Sequence, residues 1–129
     1  YAHLVRPKRG KLGGEVGYQV RFEDHIARDT KLCFVTEGIL LRWLQDDRTL
    51  ADVGIVVFDE FHERNLLGDV ALALVKQLQT TSRPDLKIAV MSATLDCAAV
   101  TRLLPDAATI SCEGRLFPVT THYLDRKSV

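Results

Sequence analysis

The sequence predicts an α/β domain with a mostly parallel sheet and helices on both faces. Three observations carry this expectation. Short apolar runs alternate along the chain with segments whose apolar residues recur at helical spacing. One run, "DVGIVVF" (Asp52–Phe58), is almost continuously apolar and rich in β-branched residues, the pattern of a strand buried on both faces. Three of the runs also end in small polar clusters: "TEG" (Thr36–Gly38), "DEFH" (Asp59–His62) and "SAT" (Ser92–Thr94). All three therefore fall on one carboxyl edge of the sheet, where ligands bind in such folds.

In chain order, "GYQVRF" (Gly17–Phe22) alternates apolar and polar residues and reads as a strand, and "KLCFV" (Lys31–Val35) as a second. Ile39, Leu40, Trp43 and Leu44 then share one helical face, giving a helix from Thr36, a candidate cap, to about Gln45. Asp52–Phe58 is the next strand. Leu67, Ala71, Leu74 and Leu78 form a helical stripe, and "TSRPD" (Thr81–Asp85) is a turn. "LKIAVM" (Leu86–Met91) is another buried strand. Asp96 to about Leu104 is a helix stopped by Pro105. "ATIS" (Ala108–Ser111) is a short strand, "GRLFPV" (Gly114–Val119) breaks the pattern, and "VTTHYL" (Val119–Leu124) begins a new strand.

The 129 residues suit one domain or part of one. Lys plus Arg equals Asp plus Glu, 17 of each, so net charge argues neither for nor against a nucleic-acid partner. The cations of "VRPKRGK" (Val5–Lys11) read as a solvated segment. The three cysteines, at 33, 97 and 112, are scattered and odd in number, which gives no disulfide framework or zinc pair. Two of them lie in apolar surroundings and read as inert buried thiols, which fits a reducing cytoplasm. No apolar run approaches the roughly 20 residues needed to span a bilayer, so no membrane role is expected.

The chemistry concentrates in "VVFDEFHERN" (Val56–Asn65). "HERNL" begins like the His-Glu-x-x-His zinc motif, but the second histidine would fall at Leu66, and the motif fails. An apolar strand ending in Asp-Glu also suits nucleoside triphosphate hydrolysis. There Asp59 holds magnesium, largely through water, and Glu60 orients and deprotonates the attacking water. A plainer alternative stands beside it: Asp59–Arg64 as a charged helix start, since acidic residues favour a helix N-terminus.

"DEFHER" followed by an apolar helix, with "MSAT" (Met91–Thr94) after the next strand, resembles the DEAH-box helicases of superfamily 2. "VTEGIL" (Val35–Leu40) resembles the family's nucleic-acid-contacting motif, and "VGYQVRFED" (Val16–Asp24) the segment before it. "EGRLFPV" (Glu113–Val119) resembles the junction between the two RecA-like lobes. Phe61, where most of the family has alanine, together with "LLPDA" (Leu103–Ala107), points to the bacterial HrpB-type branch.

The resemblance implies a partial RecA-like (P-loop NTPase) domain with ATP and Mg2+ as cofactors and RNA as partner. It makes Asp59, Glu60 and His62 the hydrolytic group, with Asp59 and Glu60 toward the metal. Ser92, Ala93 and Thr94 couple hydrolysis to strand separation through His62. Thr36, Glu37, Gly38 and Arg21 lie toward the nucleic-acid backbone. The phosphate-cradling Gly-x-x-x-x-Gly-Lys-Ser/Thr loop does not occur in these residues, since Gly10-Lys11 is followed by Leu12. Residues 1–115 are therefore expected to be the back portion of the first lobe, with that loop upstream, and 116–129 the junction toward the second. By itself such a piece is expected to be inactive and to pair through its open sheet edges. A non-catalytic nucleic-acid-binding module that has lost turnover is the alternative, and a DNA translocase a further one.

Overall fold

A computed structural model describes residues 13–93, 98–112, 114 and 118–121. Two small sheets and a helical layer form its body. The first sheet holds β1 (Val16–Val20), β2 (Glu23–His25) and β3 (Leu32–Val35) in the order β2-β1-β3. β1 and β2 are antiparallel, while β1 and β3 are parallel, with Gln19 opposite Val35. The second sheet is the parallel pair β4 (Ile55–Phe58) and β5 (Lys87–Val90), with Phe58 opposite Val90. Helices α1 (Glu37–Asp46), α2 (Leu66–Thr81) and α3 (Ala98–Leu103) follow β3, β4 and β5 in the alternation the sequence predicts.

One hydrophobic core joins α1 and α2 to the second sheet. It contains Leu40 of α1, Val56 and Phe58 of β4, Ala71, Leu72, Val75 and Leu78 of α2, and the loop residues Leu50 and Leu86. Leu72, Leu86 and Val75 are its most completely enclosed large side chains. Removing such a side chain costs the lost burial plus the cavity left behind.

Several expectations are corrected. The first strand ends at Val20, and Arg21-Phe22 is the tip of a hairpin leading into β2, which the sequence reading missed. The clusters at the strand ends belong to two sheets among the described residues, not one. The run 52–58 is not enclosed on both sides there: Val56 and Phe58 are buried, but Ile55 is 51% and Val57 46% exposed. In α2 the buried stripe is Gly68, Ala71, Leu72, Val75 and Leu78, whereas Leu67 and Leu74 of the expected stripe are largely exposed. Residues 108–111 form no strand; no ladder partner meets them among the described residues, and Ile110 is exposed. Cys112 is exposed and Cys33 half-buried, so neither is an enclosed thiol. The basic segment 5–11, Thr94, Cys97 and the end of the expected strand 119–124 lie outside the described residues.

Candidate functional site

The chain leaves β4 at Phe58 and turns sharply. Glu60 sits in the left-handed region, with φ 51°, and Phe61–Glu63 form a single 3-10 turn. Arg64 is again left-handed, with φ 43°. Two such non-glycine residues within five positions are held by their surroundings. The Phe61 amide donates to the Met91 carbonyl at 3.0 Å, and the Met91 amide to the Phe58 carbonyl at 2.8 Å, so the ladder with β5 runs on into the turn. Phe61 packs edge-on against Phe58, with ring centroids 6.1 Å apart. The Arg64 guanidinium lies over the Phe61 ring and grips Asp69 of α2 with two bonds, at 3.1 and 2.8 Å. A phenylalanine at 61 thus anchors the turn to the core in a way a smaller residue does not.

This geometry removes the charged-helix-start reading. Helix α2 begins at Leu66, six positions after Glu60, and its cap is Asn65, whose Oδ1 accepts the Gly68 amide at 2.7 Å. Asp59 and Glu60 neither cap α2 nor enter its first turn. Asp59 accepts the Glu60 amide at 2.9 Å, and the Glu60 side chain is 62% exposed. The two adjacent carboxylates stand free of the core at the carboxyl end of β4.

His62 is the meeting point of this turn with the segment after β5. The Ala93 amide donates to its Nδ1 at 3.2 Å, and a Glu60 carboxylate oxygen lies 3.3 Å from the same nitrogen. One nitrogen cannot serve both. The Ala93 bond needs the lone pair, and the Glu60 contact is an ion pair only when that nitrogen carries a proton. The Ala93 N–H is directed at Nδ1, whereas the Glu60 contact is one of proximity, so the amide bond is the one the geometry defines. The "SAT" segment thus meets His62 through the backbone of Ala93.

The nucleic-acid candidates lie at the carboxyl ends of the first sheet. The register of β1 and β3 puts Arg21 and Thr36 just beyond paired residues Gln19 and Val35. Thr36 holds the N-cap position of α1 with extended backbone, and its carbonyl accepts the Ile39 and Leu40 amides; its side chain makes no capping bond, contrary to expectation. A Cβ at Gly38 would meet nothing within 4 Å, so no contact among the described residues demands glycine there. Arg21 is exposed, its guanidinium 5.2 Å from the centre of the Phe22 ring, which is itself 87% exposed. The two groups of candidates are joined by a bond the sequence did not suggest: Asn65 Nδ2 donates to Glu37 Oε1 at 2.9 Å.

Residues 8–103 match the family model described as DEAD/DEAH box helicase. The chain belongs to the DEAD/DEAH box helicase family. It is 47% identical over 114 residues to the ATP-dependent RNA helicase HrpB of Escherichia coli, covering 88% of this chain and 14% of that protein. It is 42% identical to the probable ATP-dependent RNA helicase DHR2 of Saccharomyces cerevisiae, covering 88% and 16%. A crystal structure of the E. coli DExH-box NTPase HrpB superposes with a TM-score of 0.81 at 46% identity, over 92% of this chain and 14% of that one. The HrpB-type resemblance and the partial RecA-like fold are thereby borne out. The chain spans about one seventh of the length of these relatives. No helix among the described residues is long and apolar enough to cross a membrane.

Proposed function

We propose that this chain is part of the first RecA-like lobe of an ATP-dependent RNA helicase, with residues 1–115 in the lobe and 116–129 leading to the second. Magnesium-bound ATP is its cofactor and RNA its partner, gripped through the backbone rather than by sequence. The observation that carries the reading is the exposed Asp59-Glu60 pair on a strained turn, tied at once to the core, to "SAT" and to the α1 N-terminus.

The donor set fits magnesium. No group of three or more carboxylate, histidine or cysteine side chains able to hold a metal occurs among the described residues. Magnesium needs no such cage, since it keeps several waters and binds through one or two carboxylates plus substrate phosphates. When bound, it neutralises charge developing on the transferred phosphoryl group. Asp59 is the residue to hold it through water. Glu60, exposed on the left-handed turn, is free to orient the attacking water and accept its proton. His62 relays the state of that turn to Ala93 and so to the Ser92–Thr94 segment. At the other cluster, the free amides of the first turn of α1 suit phosphate, Gly38 leaves room for its approach, and Arg21 supplies a cation. A cytoplasmic setting is part of the same proposal.

The test is ATP turnover by the complete protein that carries this chain, with and without single-stranded RNA, beside its Glu60→Gln variant. RNA-stimulated turnover that the variant loses supports the reading. A folded protein without turnover favours a nucleic-acid-binding module, and stimulation by DNA strands alone favours a DNA translocase.

A further inference from the structure

The bond between Asn65 and Glu37 joins residues 28 positions apart that sit at two different carboxyl edges. Each end is fixed. Glu37 is the first residue of α1, beside the open space in front of Gly38. Asn65 caps α2 and directly follows the left-handed Arg64 that closes the Asp59–Arg64 turn. A single amide side chain does both jobs: Oδ1 accepts the Gly68 amide at 2.7 Å while Nδ2 donates to Glu37 at 2.9 Å. The space for it is set by Gly68, where a Cβ would come within 3.3 Å of Asn65 Oδ1. Accepting with one atom and donating with the other fixes which way the amide faces. Arg64 cannot move without Asn65, because its guanidinium is clamped to Asp69 in the first turn of the same helix.

We propose that Asn65 is a positioning residue that transmits occupancy of the α1 N-terminus to the hydrolytic turn. This rests on the reading of the two clusters given above. A phosphate drawn to the free amides at the α1 N-terminus fixes the backbone of Glu37. Glu37 then holds its bond to Asn65 with α1 in one position relative to α2. The α2 cap carries that position to Arg64 and so to the backbone of Glu60. In this role Asn65 acts through Glu37 and the α2 cap rather than on a ligand itself.

The test uses the complete protein and exchanges the polarity of the bond. Asn65→Asp keeps a capping oxygen for Gly68 but removes the donor and sets a second carboxylate against Glu37. The expected result is a fall of about fivefold or more in stimulation of ATP turnover by single-stranded RNA. Turnover without RNA and the thermal midpoint stay close to the parent's. Adding Glu37→Gln to Asn65→Asp restores a donor on the other side of the bond, and stimulation returns. Should Asn65→Asp fail to fold, Asn65→Ser serves instead: its hydroxyl caps the helix but is too short to reach Glu37, and the same loss is expected. Stimulation unchanged in these variants overturns the proposal. So does an equal loss with and without RNA, which marks a purely structural role, and so does a failure of the double variant to recover. A parent protein with no RNA stimulation overturns the reading beneath it as well. A stimulated parent with an indifferent Asn65→Asp overturns this proposal alone.

Discussion

The two ends of the β4–β5 pair are built to opposite specifications. At the amino end, the loop before β4 is stapled by Arg83. Its guanidinium donates to the carbonyls of Thr49 and Leu50 at 2.7 and 2.6 Å, to that of Val53 at 3.0 Å, and to Asp85. Leu50 and Leu86 are sealed beneath it, at 2% and 1% exposure. Asp47 closes the same loop by accepting from Thr49 and Ala51. At the carboxyl end, two carboxylates stand in solvent on a turn with two left-handed residues. Its polar cross-links run from His62 to Ala93 and from Asn65 to Glu37, beside the apolar anchor of Phe61 on Phe58. One end places the guanidinium donors of Arg83 inside the fold. The other keeps its acceptors for something outside it.

The contrast can be broken from either side. The largest expected effect is on chemistry: Glu60→Gln in the complete protein should lower ATP turnover by about 10²–10⁴-fold, the range for losing a general base. Its denaturation midpoint should barely change, because the side chain is exposed. Leu86→Ala should do the reverse. It should cost about 2–5 kcal/mol in chemical denaturation while leaving turnover per folded molecule within about twofold. Arg83→Lys replaces a planar fork that reaches three carbonyls by a single ammonium, and should lower the thermal midpoint by several degrees without touching RNA stimulation.

The smallest effect sharpens the same contrast by pH. The Arg83 guanidinium beside Asp85 holds that carboxyl below its ordinary range, and the Thr49 hydroxyl with the nearby amides does the same for Asp47. A carboxyl depressed in the folded state contributes stability above its unfolded value. That contribution disappears as pH falls through the folded one. A small loss of stability below about pH 4 is therefore expected, and Asp85→Asn should flatten it in acid titrations followed by circular dichroism.

The sequence made the alternation of strands and helices legible, together with the position of each polar cluster after a strand. Both follow from periodicity, which reads burial along one element. What lay outside its reach depended on how elements meet. The alternation of "GYQVRF" runs through Arg21-Phe22 with no glycine, asparagine or proline to announce the hairpin tip. Helix α2 carries apolar residues on much of its circumference, including Leu66, Leu67, Val70 and Leu74, so spacing alone does not say which stripe faces the core. The run 108–111 has strand-forming residues but needs a neighbour to pair with. At the site, the adjacent carboxylates and His62 stood out by composition. Asn65 shows in the sequence only as an asparagine before a helical stripe, which is a capping signal. Its second bond, to a residue 28 positions away, leaves no mark in local pattern.

The most direct measurement is ATP turnover per folded molecule for Glu60→Gln and Leu86→Ala side by side in the complete protein, with the folded fraction taken from denaturation curves. The two-ended account predicts that Glu60→Gln is stable and inactive with RNA present, and that Leu86→Ala is unstable yet turns over normally once corrected for folding. Equal loss of turnover per folded molecule in both variants, or a Glu60→Gln protein that still hydrolyses ATP under RNA stimulation, would contradict it.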